Sequence, residues 1–171
     1  AFFRPKFYRK YIKRWNNNLY GYSADLDTWL RFAKRSKIVF IKKVLVKTST
    51  GNSQMSTIEK NKFTKSDFFK VINFHLKSSK IKLNADDKNN LDLLNQRDMA
   101  RQIINLFINN KFDRSKKITK DINLLFLFKN YLNNKKGILI ILVKILVKSS
   151  YLTGNLPIKR IFKFLNNNYI S

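Results

Sequence analysis

The residues in this sequence whose types and spacing suit chemistry are cations interleaved with aromatic rings, and the chemistry they suit is phosphate binding. The densest example is the N-terminal stretch AFFRPKFYRKYIKR. Ammonium and guanidinium groups bind phosphate oxygens, and aromatic rings stack on unpaired bases. We therefore predict an extended, basic RNA-binding arm, against the alternative of a flexible tail with incidental charge. Its cations are Arg4, Lys6, Arg9, Lys10, Lys13 and Arg14.

Two further groups of cationic residues are candidates for binding RNA. The first group flanks two predicted helices and consists of Arg31, Lys34, Arg35, Lys42 and Lys43. The second group, Lys159, Arg160 and Lys163, falls at positions i, i+1 and i+4 of a final amphipathic segment, on one side of a helix. Phosphate contacts of this kind fix position without reading sequence. An ordinary solvated face explains the second group equally well.

The sequence contains no set of residues that predicts catalysis or metal binding. His75 is the only histidine, and the absence of cysteine excludes thiolate zinc sites and disulfides. Asp25 with Asp27, and Asp86 with Asp87, stand at predicted helix starts, where the helix dipole favours acids. No Walker, Rossmann or hydrolase motif occurs. We predict a protein that is not an enzyme and that uses no cofactor, no metal and no small-molecule substrate.

The charge balance indicates an anionic partner. Lys and Arg number 36 against 10 Asp and Glu, a net charge of +26 over 171 residues, and 44% of the residues are hydrophobic. Such a chain has enough apolar side chains for a core, but self-repulsion destabilises its compact state. Nucleic acid phosphates or an anionic membrane surface would neutralise this charge, and its spread along the whole chain favours nucleic acid.

Residue usage and hydropathy bear on location. Asn, Lys, Ile, Phe and Tyr are abundant whereas Gly (4) and Pro (2) are scarce, which is the bias expected of an AT-rich genome such as that of an organelle. The most apolar run, Ile138–Val147, is interrupted by Lys144 and is shorter than the ~20 residues that a transmembrane helix needs. We therefore expect no membrane span.

Periodicity predicts both helices and strands in the first part of the chain. A helix is predicted at Ala24–Arg35, capped by Ser23, followed by a second, short helix at Lys37–Lys47. Apolar residues at every second position predict a strand at Phe68–Leu76. Helical spacing of the apolar residues after Ala85 predicts a long helix.

The second part of the chain is predicted to hold one more strand and two helices. The apolar run Ile118–Phe128 predicts a central strand buried on both faces. Periodicity alone allows either a helix or a strand at Ile138–Tyr151, and the length of this segment and its two lysines four residues apart favour a buried helix with one basic edge. Gly154 is predicted to end that helix, and Pro157 to begin the last amphipathic segment.

The order of these elements and certain residues resemble one known family. The stretch WNNNLYG at 15–21, the helix after it, FIKKVL at 40–45 and IKRIFK at 158–163 follow the order of that family's motifs. From about Lys13 to Phe164 the chain is similar to the universal S-three family, the third protein of the small ribosomal subunit, in its bacterial or mitochondrial form. The resemblance covers the family's N-terminal part and KH domain and lacks most of its C-terminal domain.

This resemblance implies an α/β (α+β) fold with a degenerate type II KH-like domain, in which a small sheet packs against helices. The implied domains are a basic aromatic arm and loop at 1–23, the KH-like domain at 24–132, and the helical start of a truncated C-terminal domain at 133–171. Ala85–Lys88 (ADDK) stands where the family has its phosphate-gripping Gly-x-x-Gly loop. Because two aspartates there would repel phosphate, we predict that this loop does not bind RNA in the KH manner.

The resemblance also implies a function. The chain would be a structural constituent of the small ribosomal subunit in the mitochondrial matrix, bound to rRNA in the head near the point where mRNA enters. Its implied partners are rRNA, other small-subunit ribosomal proteins, mRNA, and a separate chain that carries the missing C-terminal domain. One alternative is another organellar RNA-binding or RNA-processing protein. The other is a basic accessory subunit of an organellar membrane complex, with Ile138–Val147 at the bilayer.

Overall fold

The computed structural model describes residues 6, 9, 10, 17–35, 62–79 and 82–166. Of these residues 83% are helical, and no strand occurs among them. The predicted α/β fold, with a small sheet packed against helices in a KH-like domain, is therefore wrong for the described part of the chain. By its internal contacts the chain divides into two compact units, which are 1–59 with 66–82, and 60–65 with 83–171.

Three α-helices and one 3₁₀ turn make up the longer described segments of the first unit. They are α1 (Asn17–Tyr20), the 3₁₀ turn (Gly21–Ser23), α2 (Ala24–Ala33) and α3 (Asp67–Ser79). The helix predicted to start at Ala24 is confirmed, although the side chain of Ser23 makes no capping hydrogen bond. Tyr20, Ala24 and Val71 form a small core in which α1, α2 and α3 meet.

The segment predicted as the strand Phe68–Leu76 lies within helix α3, so that prediction is wrong. Its buried side chains include Asp67, Val71 and His75, which recur every four residues, the spacing of one helical face. The alternate apolar positions that suggested a strand do not share a buried face, since Phe74 is 49% exposed. Packing of the four-residue repeat against the core therefore selects helix over strand.

Five α-helices make up most of the described part of the second unit. They are α4 (Ala85–Ile108), α5 (Phe112–Lys120), α6 (Leu124–Tyr131), α7 (Lys135–Thr153) and α8 (Asn155–Leu165). α5, α7 and α8 all pack against α4, and α6 packs against α7. Within the core, the ring of Phe107 on α4 meets the rings of Phe112 and Phe162 edge-on, with centroids 4.9 and 5.2 Å away. The long central helix therefore organises this unit.

α4 confirms the long helix that the sequence predicts after Ala85. The side-chain oxygen of Asn84 accepts a hydrogen bond from the backbone N–H of Asp87 at 2.7 Å and caps the helix. Asp86 and Asp87 are exposed in the first turn, where the helix dipole favours their charge. The ADDK stretch is thus the first turn of a helix.

The predicted central strand Ile118–Phe128 is also wrong, because this run spans the end of α5, a break and the start of α6. Asn123 sets the break, since its side-chain oxygen accepts a hydrogen bond from the backbone N–H of Phe126 at 3.0 Å and caps α6. The backbone N–H of Asn123 donates to Gln96 Oε1 on α4 at 3.0 Å. Leu127 is buried whereas the residues on both sides of it are not, which is the pattern of one helix face.

α7 and α8 confirm the helices predicted at Ile138–Tyr151 and in the last amphipathic segment. Gly154 ends α7 with a φ of +81°, a conformation that favours glycine. Both helices also carry exposed apolar side chains that the core of this unit does not use. These are Ile138, Leu142, Ile145 and Leu152 on α7, and Leu156, Ile161 and Phe164 on α8.

Candidate nucleic-acid interface

Four lysines line one groove between α5 and α7 in the second unit. We call it the lysine groove, and its volume is about 330 Å³. Its lining consists of Lys116, Thr119, Lys120, Lys144, Val147, Lys148 and Tyr151. Each helix contributes two of the lysines, and within each helix the two are four residues apart and so share a face. None of these lining residues is acidic.

Packing of α5 and α7 on the core explains how the groove forms. Thr119 and Val147, which lie between the lysines on each helix, are buried. The Thr119 hydroxyl donates to the carbonyl of Ser115 at 2.8 Å, and the Ser115 hydroxyl donates to the carbonyl of Ile103 on α4 at 3.2 Å. The Ser115 bond fixes α5 on α4, and α7 packs against both helices, so the lysine faces of α5 and α7 are held side by side.

Lys144 is a half-buried cation of the lysine groove. Its ammonium donates a hydrogen bond to the backbone carbonyl of Ile122. Burial lowers the pKa of Lys144, the neighbouring Lys148 lowers this pKa further, and Asp121 partly opposes both effects. An anion bound beside this amine would favour its charged form and so oppose the shift in pKa. Partial burial of the charged Lys144 ammonium therefore costs free energy, and an anion bound in the groove would reduce that cost.

Tyr151 stands at the edge of the lysine groove, near the C-terminal end of α7. The residue is 64% exposed, and the ammonium of Lys116 lies over its ring, 4.2 Å from the centroid. This cation–π contact joins α5 to α7 at the surface. The groove therefore combines cations with an accessible aromatic ring, the groups that bind phosphate and base in nucleic acids.

The lining of the groove suits binding of an anion by charge and hydrogen bonds. It offers four ammonium groups and a phenol, and it contains no carboxylate or imidazole. Across the part of the chain that the structure describes, no group of three His, Cys, Asp or Glu side chains is placed to hold a metal ion. A phosphate fits this donor set, because charge-assisted hydrogen bonds from ammonium groups to phosphate oxygens are strong.

Much of the predicted N-terminal arm, with the basic segment after α2, lies outside the described residues. The residues predicted to bind RNA that lie outside the described part of the chain are Arg4, Lys13, Arg14, Lys42 and Lys43. The short helix predicted at Lys37–Lys47 is outside this part as well. Lys6, Arg9 and Lys10 are exposed and helical, so the extended conformation predicted for the arm is wrong at these three positions. Their side chains are nevertheless at the surface, where a side chain must lie to contact RNA.

In the first unit, two of the residues predicted to bind RNA belong to a hydrogen-bonded network between α2 and α3. Arg31 bonds Asp27, which is 1% exposed. His75 Nε2 lies 2.8 Å from Asp27 Oδ1, and the Lys34 ammonium lies 2.7 Å from His75 Nδ1. Arg35 is exposed at the end of α2. Arg31 and Lys34 therefore help to hold α3 against α2, a role that their sequence positions did not reveal.

α8 carries the third group of predicted cations, Lys159, Arg160 and Lys163. The helix buries Ile158 and Phe162, as its amphipathic pattern predicts, and it exposes Arg160 and Lys163. The Lys159 ammonium donates to Asn110 Oδ1 at 2.6 Å, which links α8 to the residues after α4. One of the three cations thus has a structural contact, and the other two face solvent.

Sequence reasoning did not identify the lysine groove. The basic edge predicted for α7 comprises Lys144 and Lys148, whereas Lys120 lies in the predicted strand Ile118–Phe128 and Lys116 lies just before it. The usable signal was the repeated four-residue spacing, which places each lysine pair on one helix face. That the two faces lie side by side follows from the packing of α5 and α7 on α4.

Comparison with known proteins gives no relative from which a function could be transferred. No protein-family model, no curated protein and no solved structure matches this chain. Among the described residues, no helix combines the length and the hydropathy that crossing a bilayer requires. Function is therefore inferred from the charge, the groove and the patterns in the sequence.

Proposed function

We propose that this protein binds RNA through phosphate contacts and is a structural constituent of an RNA–protein particle. The observation that carries this proposal is the lysine groove, whose lining holds four lysines and no acid. The groove belongs to a chain with a net charge of +26. Clustered cations displace the counterions of RNA, and the release of those counterions drives binding. Such contacts position a folded RNA without reading its sequence.

The particle that the sequence resemblance supports is the small subunit of the mitochondrial ribosome, with the chain on rRNA near the point where mRNA enters. The described residues contain no KH sheet. The resemblance therefore supports this particle only through the patterns on either side of the predicted sheet, at 15–21, 40–45 and 158–163. Other small-subunit proteins are partners in the same proposal.

The test compares RNA binding by the full chain, a groove variant and a matched control. The groove variant carries Lys120→Gln and Lys148→Gln, and the control carries Lys88→Gln and Lys129→Gln, two exposed lysines outside the groove. We expect the groove variant to bind a structured RNA about tenfold more weakly or worse, and the slope of log affinity against log salt to fall by about 2, because two phosphate contacts are lost. Fluorescence anisotropy titrations over a series of salt concentrations measure both quantities.

Two outcomes of these titrations would contradict the proposal. One is that the wild-type chain does not bind RNA at physiological salt. The other is that the affinity for RNA falls equally in the groove variant and in the control. Both variants lose two charges, so an equal fall would show that the position of the lysines does not matter. The particle is tested separately by whether the tagged chain copurifies with small-subunit rRNA, and its absence from such a particle would reject the ribosomal part alone.

A second candidate function, the basic accessory subunit of a membrane complex, has one observation in its favour. Ile138, Leu142 and Ile145 lie on one side of α7 and are exposed. An apolar stripe near lysines is typical of helices that lie on an anionic lipid surface. Extraction distinguishes the two functions, because RNase releases a protein held by RNA and detergent releases one held by lipid.

A further inference from the structure

Tyr151 is the part of the lysine groove that phosphate binding alone does not require. It is 64% exposed, and the Lys116 ammonium sits over its ring at 4.2 Å from the centroid. Lys148, less than one helical turn earlier, lines the same groove. The Lys116 ammonium covers one face of the ring and joins α5 to α7. Because Tyr151 is nevertheless largely exposed, the other face of its ring is open to a ligand that has an apolar, planar part beside its charge.

Double-stranded and single-stranded RNA differ in what they offer such a surface. An A-form duplex presents phosphates and 2′-hydroxyls on its outside, while its base faces are stacked on one another. An unpaired nucleotide presents a phosphate and a free base face together, and stacking on an aromatic side chain contributes to its binding regardless of base identity. Only the unpaired nucleotide uses both the cations and the ring of the groove.

The size of the groove and the position of the ring agree with this ligand. A volume of about 330 Å³ is at the lower end of the range for small-ligand sites, and it suits the phosphate and sugar of one nucleotide. We infer that the lysine groove binds an unpaired nucleotide of RNA, its phosphate held by Lys120, Lys144 and Lys148 and its base stacked on Tyr151. This inference rests on the RNA-binding function proposed above and specifies the form of RNA that the groove selects.

The test measures the affinity of the full chain for an unstructured RNA oligonucleotide and for a blunt RNA duplex of the same length at one salt concentration. Tyr151→Leu removes the aromatic face, and Tyr151→Phe is the matched control that keeps it. We expect Tyr151→Leu to weaken binding of the single strand about tenfold and to leave binding of the duplex unchanged, because stacking is lost and charge is not. Tyr151→Phe should bind both RNAs like the wild type.

A second measurement uses the wild-type chain, so that it does not depend on the folding of a variant. A single-stranded RNA containing 4-thiouridine is photocrosslinked to the protein, and the crosslinked peptides are mapped by mass spectrometry. We expect crosslinks in the peptide that contains Tyr151. Crosslinks confined to other peptides, or an equal loss of affinity for both RNAs in Tyr151→Leu, or no loss at all, would overturn the inference while RNA binding itself stands. Failure of the wild type to bind either RNA would instead overturn the proposed function.

Discussion

At the scale of single residues, the buried carboxylate of Asp27 links the helices of the first unit. It accepts hydrogen bonds from Arg31 on its own helix and from His75 Nε2 on α3, the latter at 2.8 Å. The other ring nitrogen of His75 lies 2.7 Å from the Lys34 ammonium. Because an ammonium has no lone pair, His75 Nδ1 accepts, and the proton of a neutral imidazole lies on Nε2. His75 thus links the ammonium of Lys34 to the carboxylate of Asp27 through two hydrogen bonds.

Lys34 is an exposed residue whose ammonium is partly desolvated where it meets His75. Burial lowers the pKa of Lys34, Arg35 lowers it further, and Asp27 partly opposes both effects. Since the pKa of the folded state lies below that of the unfolded state, the unfolded chain binds more protons in the window between the two values. The contribution of Lys34 to stability therefore rises as pH rises through that window.

Replacing the buried carboxylate tests how much the network stabilises the first unit. Asp27→Asn keeps the size of the side chain but removes the charge that faces Arg31 and the imidazole. We expect the free energy of unfolding to fall by about 3 kcal/mol, because one partner of a buried charged pair is lost. Urea unfolding followed by circular dichroism measures the change.

The control for this substitution is Asp25→Asn, which makes the same change at an exposed position of the same helix turn. There only the interaction with the helix dipole is lost, and we expect a decrease below ~1 kcal/mol. If Asp27→Asn is no more destabilising than Asp25→Asn, the hydrogen bonds of Asp27 do not stabilise the contact of α2 with α3.

At the scale of the helices, α6 and α7 come into close contact at Gly137, in the first turn of α7. Gly137 is buried, and a Cβ at this position would lie 2.5 Å from the carbonyl oxygen of Tyr131 and 2.6 Å from its Cβ. Both distances are well inside van der Waals contact. The tight turn from α6 to α7, with Asn134 capping α7 through its side chain, therefore depends on glycine for close approach.

Gly137→Ala should therefore destabilise the second unit although alanine is the better helix former. The overlap with Tyr131 costs about 1–3 kcal/mol, against a gain of ~1 kcal/mol in helix propensity. We expect a net decrease in the free energy of unfolding, measured by urea denaturation. Lys136→Ala, at the adjacent exposed position, is the control and should leave stability within ~0.5 kcal/mol. A stabilised Gly137→Ala variant would contradict the close approach of the two helices.

At the scale of the whole molecule, the net charge of +26 opposes folding of the free chain. We expect the midpoint of thermal unfolding to rise with sodium chloride concentration, because salt screens repulsion among exposed cations. Each ~1 kcal/mol of relieved repulsion corresponds to about 2–4 °C for a chain of 171 residues. Circular dichroism melts of the RNA-free chain at low and high salt measure the shift. A midpoint that is constant or falls with salt would show that self-repulsion does not limit stability.

The sequence by itself determined the helices whose signals are local. The starts of α2 and α4, the long α4, and the end of α7 follow from acids in first turns, from Gly154 and from helical spacing of apolar residues, all of which act within a few residues. The excess of cations was also readable from composition, and with it the expectation of an anionic partner.

Only the tertiary structure showed that the two segments predicted as strands are helical, and only helix packing forms the lysine groove. The segment DFFKVINFHL satisfies both an alternating and a four-residue apolar pattern, and burial of Val71 and His75 in the first unit selects the helix. The lysine groove brings together Lys120 and Lys144, which are separated by 24 residues of chain and meet because α5 and α7 pack on α4. Local periodicity places side chains on the face of one element, and long-range packing then determines which faces meet.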